Sequence, residues 1–176
     1  MAYGTELVLG FEPAMFGRVC TALNVPVKFS DEPTDAELSE FQYLKLETID
    51  EKLRAIHHQC CLDMGWTPLK KKKPRFKNDD YPIYETSKGP REFAPFRLEL
   101  FYDPGEMGED PEHAILGVAL SGRYFPTFLD WKDPHGGVQF VFNTELNNGI
   151  AAARLRLIEG FEIFDESLIA IKEIHY

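Results

Sequence analysis

The chain is poor in cysteine, with three in 176 residues, two of them adjacent as Cys60 and Cys61. An odd count with an adjacent pair cannot build a disulfide framework, so a reducing, cytoplasmic setting is expected. Long apolar runs are missing as well, and nothing approaches the roughly 18 uninterrupted apolar residues that a membrane span needs. The opening residues Met1-Ala2-Tyr3-Gly4-Thr5-Glu6 lack the basic stretch and apolar run of a signal peptide. Phosphate-cradling and hydrolase signatures are absent too. There is no G-x-G-x-x-G, no G-x-x-x-x-G-K-[ST], no G-x-S-x-G and no H-E-x-x-H, so neither a nucleotide cofactor nor a common catalytic triad is expected.

Positive charge is the other scarcity. Nineteen basic residues stand against 29 acidic ones, giving a formal net charge of −10 at pH 7. Such a balance repels phosphate backbones and anionic lipid at long range, and favours a basic partner. What is present suits a globular domain: 44% hydrophobic and 27% charged residues exclude disorder and fibrous architectures. A chain this long buries roughly 70% of the surface it exposes when unfolded, enough for a core without staples. Aromatic residues are plentiful, with 14 Phe, 7 Tyr and 2 Trp. Phe has no polar handle, so most of these rings belong inside, with a few left for a binding face.

Periodicity divides the chain into an N-terminal α/β portion (1–66), a Pro/Lys-rich arm (67–95) and a β-rich portion with one helix (96–176), expected to form one domain. Glu6 to Phe11 reads as a strand. A helix follows, with Pro13 near its start, Phe16, Val19, Cys20 and Leu23 at helical spacing, and Asn24 as its stop. Val25, Val27 and Phe29 alternate like an edge strand interrupted by Pro26. The polar, acidic stretch 30–40 is a loop with a helical turn begun by Thr34 and Glu37, and 41–46 fits strand or helix equally. Thr48-Ile49-Asp50-Glu51 matches a capping box, Ile49, Leu53, Ile56 and Cys60 form one stripe, and Gly65 ends a helix over 49–64. Pro68, Pro74, Pro82, Pro90 and Pro95 exclude a long helix and most central strands from the arm. Strands are then predicted at 96–102, 114–121, 124–129 and 138–142. A helix carrying Leu146, Ile150, Ala153 and Leu157 on one face ends at Gly160, and a last strand over 167–175 has a buried centre at Leu168-Ile169-Ala170-Ile171. The fold class is α+β: an antiparallel or mixed sheet with about three helices packed mainly on one face.

Four constellations could carry chemistry. His57-His58-Gln59-Cys60-Cys61 places His and Cys at metal-sharing helical spacing. Cys60, however, belongs to the apolar stripe and no second His/Cys pair is near, so buried thiols and no metal are expected. Asp130-Trp131-Lys132-Asp133-Pro134-His135-Gly136-Gly137 offers two carboxylates and an imidazole, with Arg123 available for an anionic substrate group. The same residues are ordinary turn chemistry, since Asp-Pro and Gly-Gly supply a fixed φ and then a positive one. Between two strands, 103–113 carries five carboxylates without the EF-hand order, a solvated tip or a docking surface for a basic partner. Lys70, Lys71, Lys72, Lys73 and Arg75, with Lys77, place six positive charges in eight residues beside Trp66 and Phe76, the composition of a nucleic-acid contact or a nuclear import signal. The arm can equally face the acidic stretches 31–40 and 103–112.

The reading that follows is a non-catalytic, acidic, cytoplasmic binding protein that occludes a basic functional surface of a protein partner, a role of the toxin-immunity or phage anti-defence kind. Glu106, Glu109, Asp110 and Glu112 are its steering patch. The alternatives are a small hydrolase-like enzyme using Asp130, Asp133, His135 and Arg123, and a nucleic-acid contact through the basic arm.

Overall fold

In the computed structural model residues 5–42, 44–46, 51–70, 81–94, 96–102, 110–120, 125 and 144–175 are described. They form an α+β fold with two antiparallel sheets. The chain runs β1 (Thr5–Phe11), α1 (Phe16–Ala22), α2 (Asp35–Glu40), β2 (Lys45–Leu46), α3 (Glu51–Asp63), β3 (Thr67–Leu69), β4 (Ile83–Thr86), β5 (Gly89–Glu92), β6 (Leu98–Phe101), β7 (Ile115–Ala119), α4 (Thr144–Gly160) and β8 (Ile169–His175). The larger sheet has the order β2-β6-β7-β1-β8, and the smaller one is the meander β3-β4-β5.

Alternation along the large sheet decides where the core sits. Leu7, Leu9 and Phe11 of β1, Leu98 and Leu100 of β6, and Leu116 and Val118 of β7 point to one face, where they join buried residues of α1, α3 and α4 in a single cluster. β7 is apolar throughout and lies between β6 and β1, as its continuous run implies. β8 departs from expectation, because among the described residues it is the sheet edge, paired only with β1, rather than a buried centre. Ile169 is buried, but Ile171 two residues on is 40% exposed. Lys172 and Glu173 sit mid-strand there, charges of the kind that discourage pairing at an open edge.

β1 and β7 pass unusually close. Gly10 and Gly117 are register partners. A Cβ on Gly10 would fall 2.5 Å from the Cα of Gly117 and 2.8 Å from the carbonyl carbon of Leu116. A Cβ on Gly117 would fall 2.7 Å from the Cα of Gly10. Only a glycine pair permits this approach, which is the positional meaning of glycine inside a strand.

The helices start and stop where their end residues dictate. Pro13 opens a 3-10 turn leading into α1, and Asn24 ends α1 in the left-handed region at φ 55°. Thr34 caps α2 by accepting from the Glu37 N–H at 3.3 Å. Gly65 follows α3 at φ 81°. α3 packs against the C-terminal part of α4 in antiparallel sense, with Gly160 against Ile56 and, one turn earlier in α4, Arg156 against Asp63 at the end of α3. Arg156 grips Asp63 with two parallel bonds, Nε to Oδ2 at 2.7 Å and NH2 to Oδ1 at 2.8 Å. The guanidinium holds the Asp63 carboxyl below its usual range.

Two segments differ from the sequence reading. Val25, Val27 and Phe29 pack on the core without forming a strand, since Pro26 cannot donate to a ladder. Within the predicted arm, residues 67–69 and 83–92 build the smaller sheet, with Pro68 and Pro90 on its two edge strands and none in the central β4. Within the ambiguous 41–46 stretch, 41–42 form a turn and 45–46 the two-residue strand β2.

The smaller sheet is fastened to α3 by Tyr84, which is fully buried in a cluster with Cys61, Trp66 and Phe93. Trp66 and Phe93 stack face to face, centroids 5.0 Å apart and planes 9° from parallel. The Tyr84 hydroxyl meets His58 Nδ1 at 2.7 Å. Tyr84→Phe is therefore expected to cost about 1 kcal/mol, one hydrogen bond. Tyr84→Ala should cost about 3–5 kcal/mol through the cavity it leaves. Chemical denaturation separates the two, and equal losses would show that the ring does not fasten the sheet.

Candidate functional site

Antiparallel pairing brings the end of β1 beside the starts of β7 and β8, so their flanking turns collect at one end of the large sheet. The Glu12 N–H donates to the Leu168 carbonyl at 2.8 Å, locking the turn after β1 to the turn before β8. Lys172 Nζ bonds Glu12 Oε2 at 3.1 Å and reaches the Glu112 carbonyl at 3.5 Å, drawing in the turn before β7.

Between these turns lies a groove of about 540 Å³ lined by Glu12, Pro13, Ala14, Asp31, Glu32, Pro33, Pro111 and Glu112. Its carboxylates come from positions 12, 31–32 and 112, far apart in the chain. Asp31, Glu32 and Glu112 are exposed, while Glu12 is half-buried and paired with Lys172. Three prolines give the lining a fixed backbone with few donors of its own. The loop carrying Asp31 and Glu32 is held by Glu37, whose carboxylate accepts from the Ser30 N–H at 2.9 Å and the Ser30 hydroxyl at 2.7 Å. Those two bonds push the Glu37 carboxyl below its ordinary value.

The turn before β8 adds further negative charge. Glu162, Asp165 and Glu166 are exposed there, and Asp165 accepts from the Ser167 N–H at 3.0 Å and its hydroxyl at 2.7 Å. In their midst Phe164 stands 95% exposed, while Phe161 and Ile163 just before it are buried. A ring that size in water has no packing role in the chain itself.

The predicted steering patch is placed only in part. Asp110 and Glu112 are exposed at this end, with Glu112 in the groove. Glu106 and Glu109 lie outside the described residues. Arg123, Asp130, Asp133 and His135, the acid/base set, also lie outside them, as do Lys71, Lys72, Lys73, Arg75 and the predicted strands at 124–129 and 138–142, Phe125 apart. Lys70 is exposed just beyond β3.

Sequence reasoning did not single out Glu12, Asp31, Glu32 or Phe164. The first three needed the strand pairing to be known. Phe164 left no local signal, since it follows Ile163 as a second apolar residue and only the turn beyond α4 separates the two in burial.

The His/Cys run on α3 is interior. His57 is 1% exposed, its Nε2 3.8 Å from the Cys61 Sγ and its ring edge-on to Phe96 at 5.0 Å. Burial, with His58 adding a smaller repulsion, lowers its pKa to about 3, so the ring is neutral. All three thiols are buried and free. Burial pushes Cys20 up to about 11 and Cys61 to about 12, which removes thiolate chemistry at neutral pH. Among the described residues, Asp110, Glu112 and His113 are a trio whose donor atoms lie within 4.8 Å of one another, and all three are exposed. No helix among the described residues is long and apolar enough to cross a membrane. Comparison with family models, with curated proteins and with solved structures finds no match to this chain.

Proposed function

We propose that the protein acts by binding: its acidic end docks on a basic surface of a protein partner and occludes it. The observation that supports this most directly is the convergence of Glu12, Asp31, Glu32 and Glu112 on one groove from three separate stretches of chain. A potential of one sign, focused in a concave surface, speeds encounter with a partner of the opposite sign. On the turn before β8, which the Glu12–Leu168 bond ties to the turn after β1, Phe164 supplies the kind of exposed aromatic anchor that carries affinity once the partners meet. Occluding a basic functional surface of a partner is a role of the toxin-immunity or phage anti-defence kind, and the acidic groove supports that reading.

The test pairs the wild-type chain with the Asp31→Lys, Glu32→Lys, Glu112→Lys triple variant, using as probe a basic protein recovered from a host lysate on the wild-type chain. Stopped-flow association at low salt should slow by about tenfold or more in the variant and lose most of its salt dependence. Phe164→Ala should instead raise the dissociation rate. Association and dissociation that ignore both changes would overturn the reading.

A further inference from the structure

A second groove, of about 630 Å³, shares Ala14 and Asp31 with the acidic one but reverses its sign. Three cations line it, Arg18, Lys28 and Lys52, against two carboxylates, Asp31 and Glu162. On a chain with a net charge of −10, an excess of positive charge in a concave surface is a local reversal of the molecule's field.

The cations are held by different elements, and each is placed by packing. Arg18 projects from α1. Its guanidinium touches only neutral acceptors among the described residues: the Met15 sulfur at 3.7 Å and the Glu162 carbonyl at 3.4 Å. Five N–H donors are available on that fork, so most remain for something else. Lys28 belongs to the loop that Glu37 pins through Ser30, and it has no ion pair among the described residues. That loop lies directly on α1, where a Cβ on Gly17 would come within 3.0 Å of the Phe29 carbonyl oxygen. Lys52 comes from α3 and sits with its ammonium 5.5 Å from the centroid of Phe161, whose ring is fixed edge-on to Phe11 at 5.0 Å. The Phe29 ring is locked between Phe16 and Phe41 at 5.5 and 5.3 Å. The wall is therefore rigid, and a ligand meeting it would lose little to ordering the protein.

We infer that this groove binds a small phosphate-bearing molecule, its phosphoryl group held by Arg18, Lys28 and Lys52. The volume falls within the range usual for small-molecule sites. A planar guanidinium and two ammonium point charges together suit a compact, multiply charged oxyanion better than a single carboxylate. Asp31 and Glu162 then face the rest of the ligand, where they would accept from hydroxyl groups. They also disfavour ligands that are anionic throughout.

Calorimetric titration of the full chain at low salt, with four probes, tests this. Inorganic phosphate and adenosine monophosphate should both bind, the nucleotide more tightly, while adenosine should not. Citrate should bind more weakly than phosphate. Phosphate binding as tightly as the nucleotide would assign the site to the free ion. Arg18→Gln and Lys28→Gln should each weaken nucleotide binding by about tenfold, the loss of one charge-assisted contact at an open site. Lys28 is an exposed loop residue, so its variant remains informative if Arg18→Gln disturbs α1. Lys88→Gln, on the smaller sheet, should leave binding unchanged. No heat with phosphate or nucleotide overturns the inference. So do citrate binding equal to that of phosphate, and affinity indifferent to Lys28.

Discussion

Gly117→Ala is expected to destabilise the protein by at least ~3 kcal/mol, and Gly10→Ala by a similar amount. Each added methyl would meet the backbone of the opposite strand, 2.7 Å from the Gly10 Cα in one case and 2.5 Å from the Gly117 Cα in the other. Side-chain conflicts relax by rotation, but these leave only strand separation. The two strands involved are central: β1 pairs with both β7 and β8, and β7 with both β1 and β6. Separation therefore loosens the middle of the sheet, where the Leu9 and Leu116 side chains anchor the core. Gly65→Ala and Gly89→Ala are the comparison. Both glycines have positive φ, 81° and 94°, with nothing within 4 Å of an added Cβ. They should cost only about 1 kcal/mol, the penalty for a left-handed residue. Urea denaturation gives all four values. A Gly10 variant no worse than the Gly65 variant would mean that the strands do not pass as closely as described.

Acid should weaken the protein well before its carboxylates protonate, and His57 is the reason. In the unfolded chain its imidazole takes up a proton near 6.5, whereas in the folded chain burial delays this to about 3. Between those values the unfolded state binds more protons, so stability falls as pH falls. Each pH unit well inside that window costs about 1.4 kcal/mol, so lowering pH from 7 to 4.5 should remove about 2.5 kcal/mol. Glu37, Asp63 and Asp165 have depressed pKa values, so their contributions are present above the ordinary carboxylate range and are lost only at lower pH. His57→Leu keeps an apolar side chain among Phe93, Phe96 and Tyr84 and removes the titrating group. Its stability should be nearly flat from pH 7 to 4.5. A wild-type slope that survives in the variant would place the proton uptake elsewhere.

Much of the fold can be read from local chemistry. Thr34 with Glu37, Pro13 with Asn24, and Gly65 mark helix ends because capping and left-handed backbone are properties of a few adjacent residues. The alternation of Leu98 and Leu100, and the unbroken apolar run of β7, announce strands because the pleat has a period of two. Position within a sheet is another matter. Leu168-Ile169-Ala170-Ile171 has the composition of a central strand, yet β8 is an edge among the described residues, because neighbours are chosen by topology. The smaller sheet was obscured by its prolines, which edge strands tolerate. The acidic groove was legible only as two separate acidic stretches, since nothing local says that 31–32 and 112 meet beside Glu12.

Helix α3 belongs to two interiors at once. Leu53, Ile56 and Cys60 face the main cluster, Cys61 faces Tyr84 and Trp66, and the His57 ring lies between Phe96 of the first and Phe93 of the second. The helix is thus a common beam, and neither sheet can melt without exposing part of what steadies the other. Heat and denaturant therefore meet one cooperative unit, in which damage to the small meander is transmitted to the main core on which the helices and turns lining both grooves are seated.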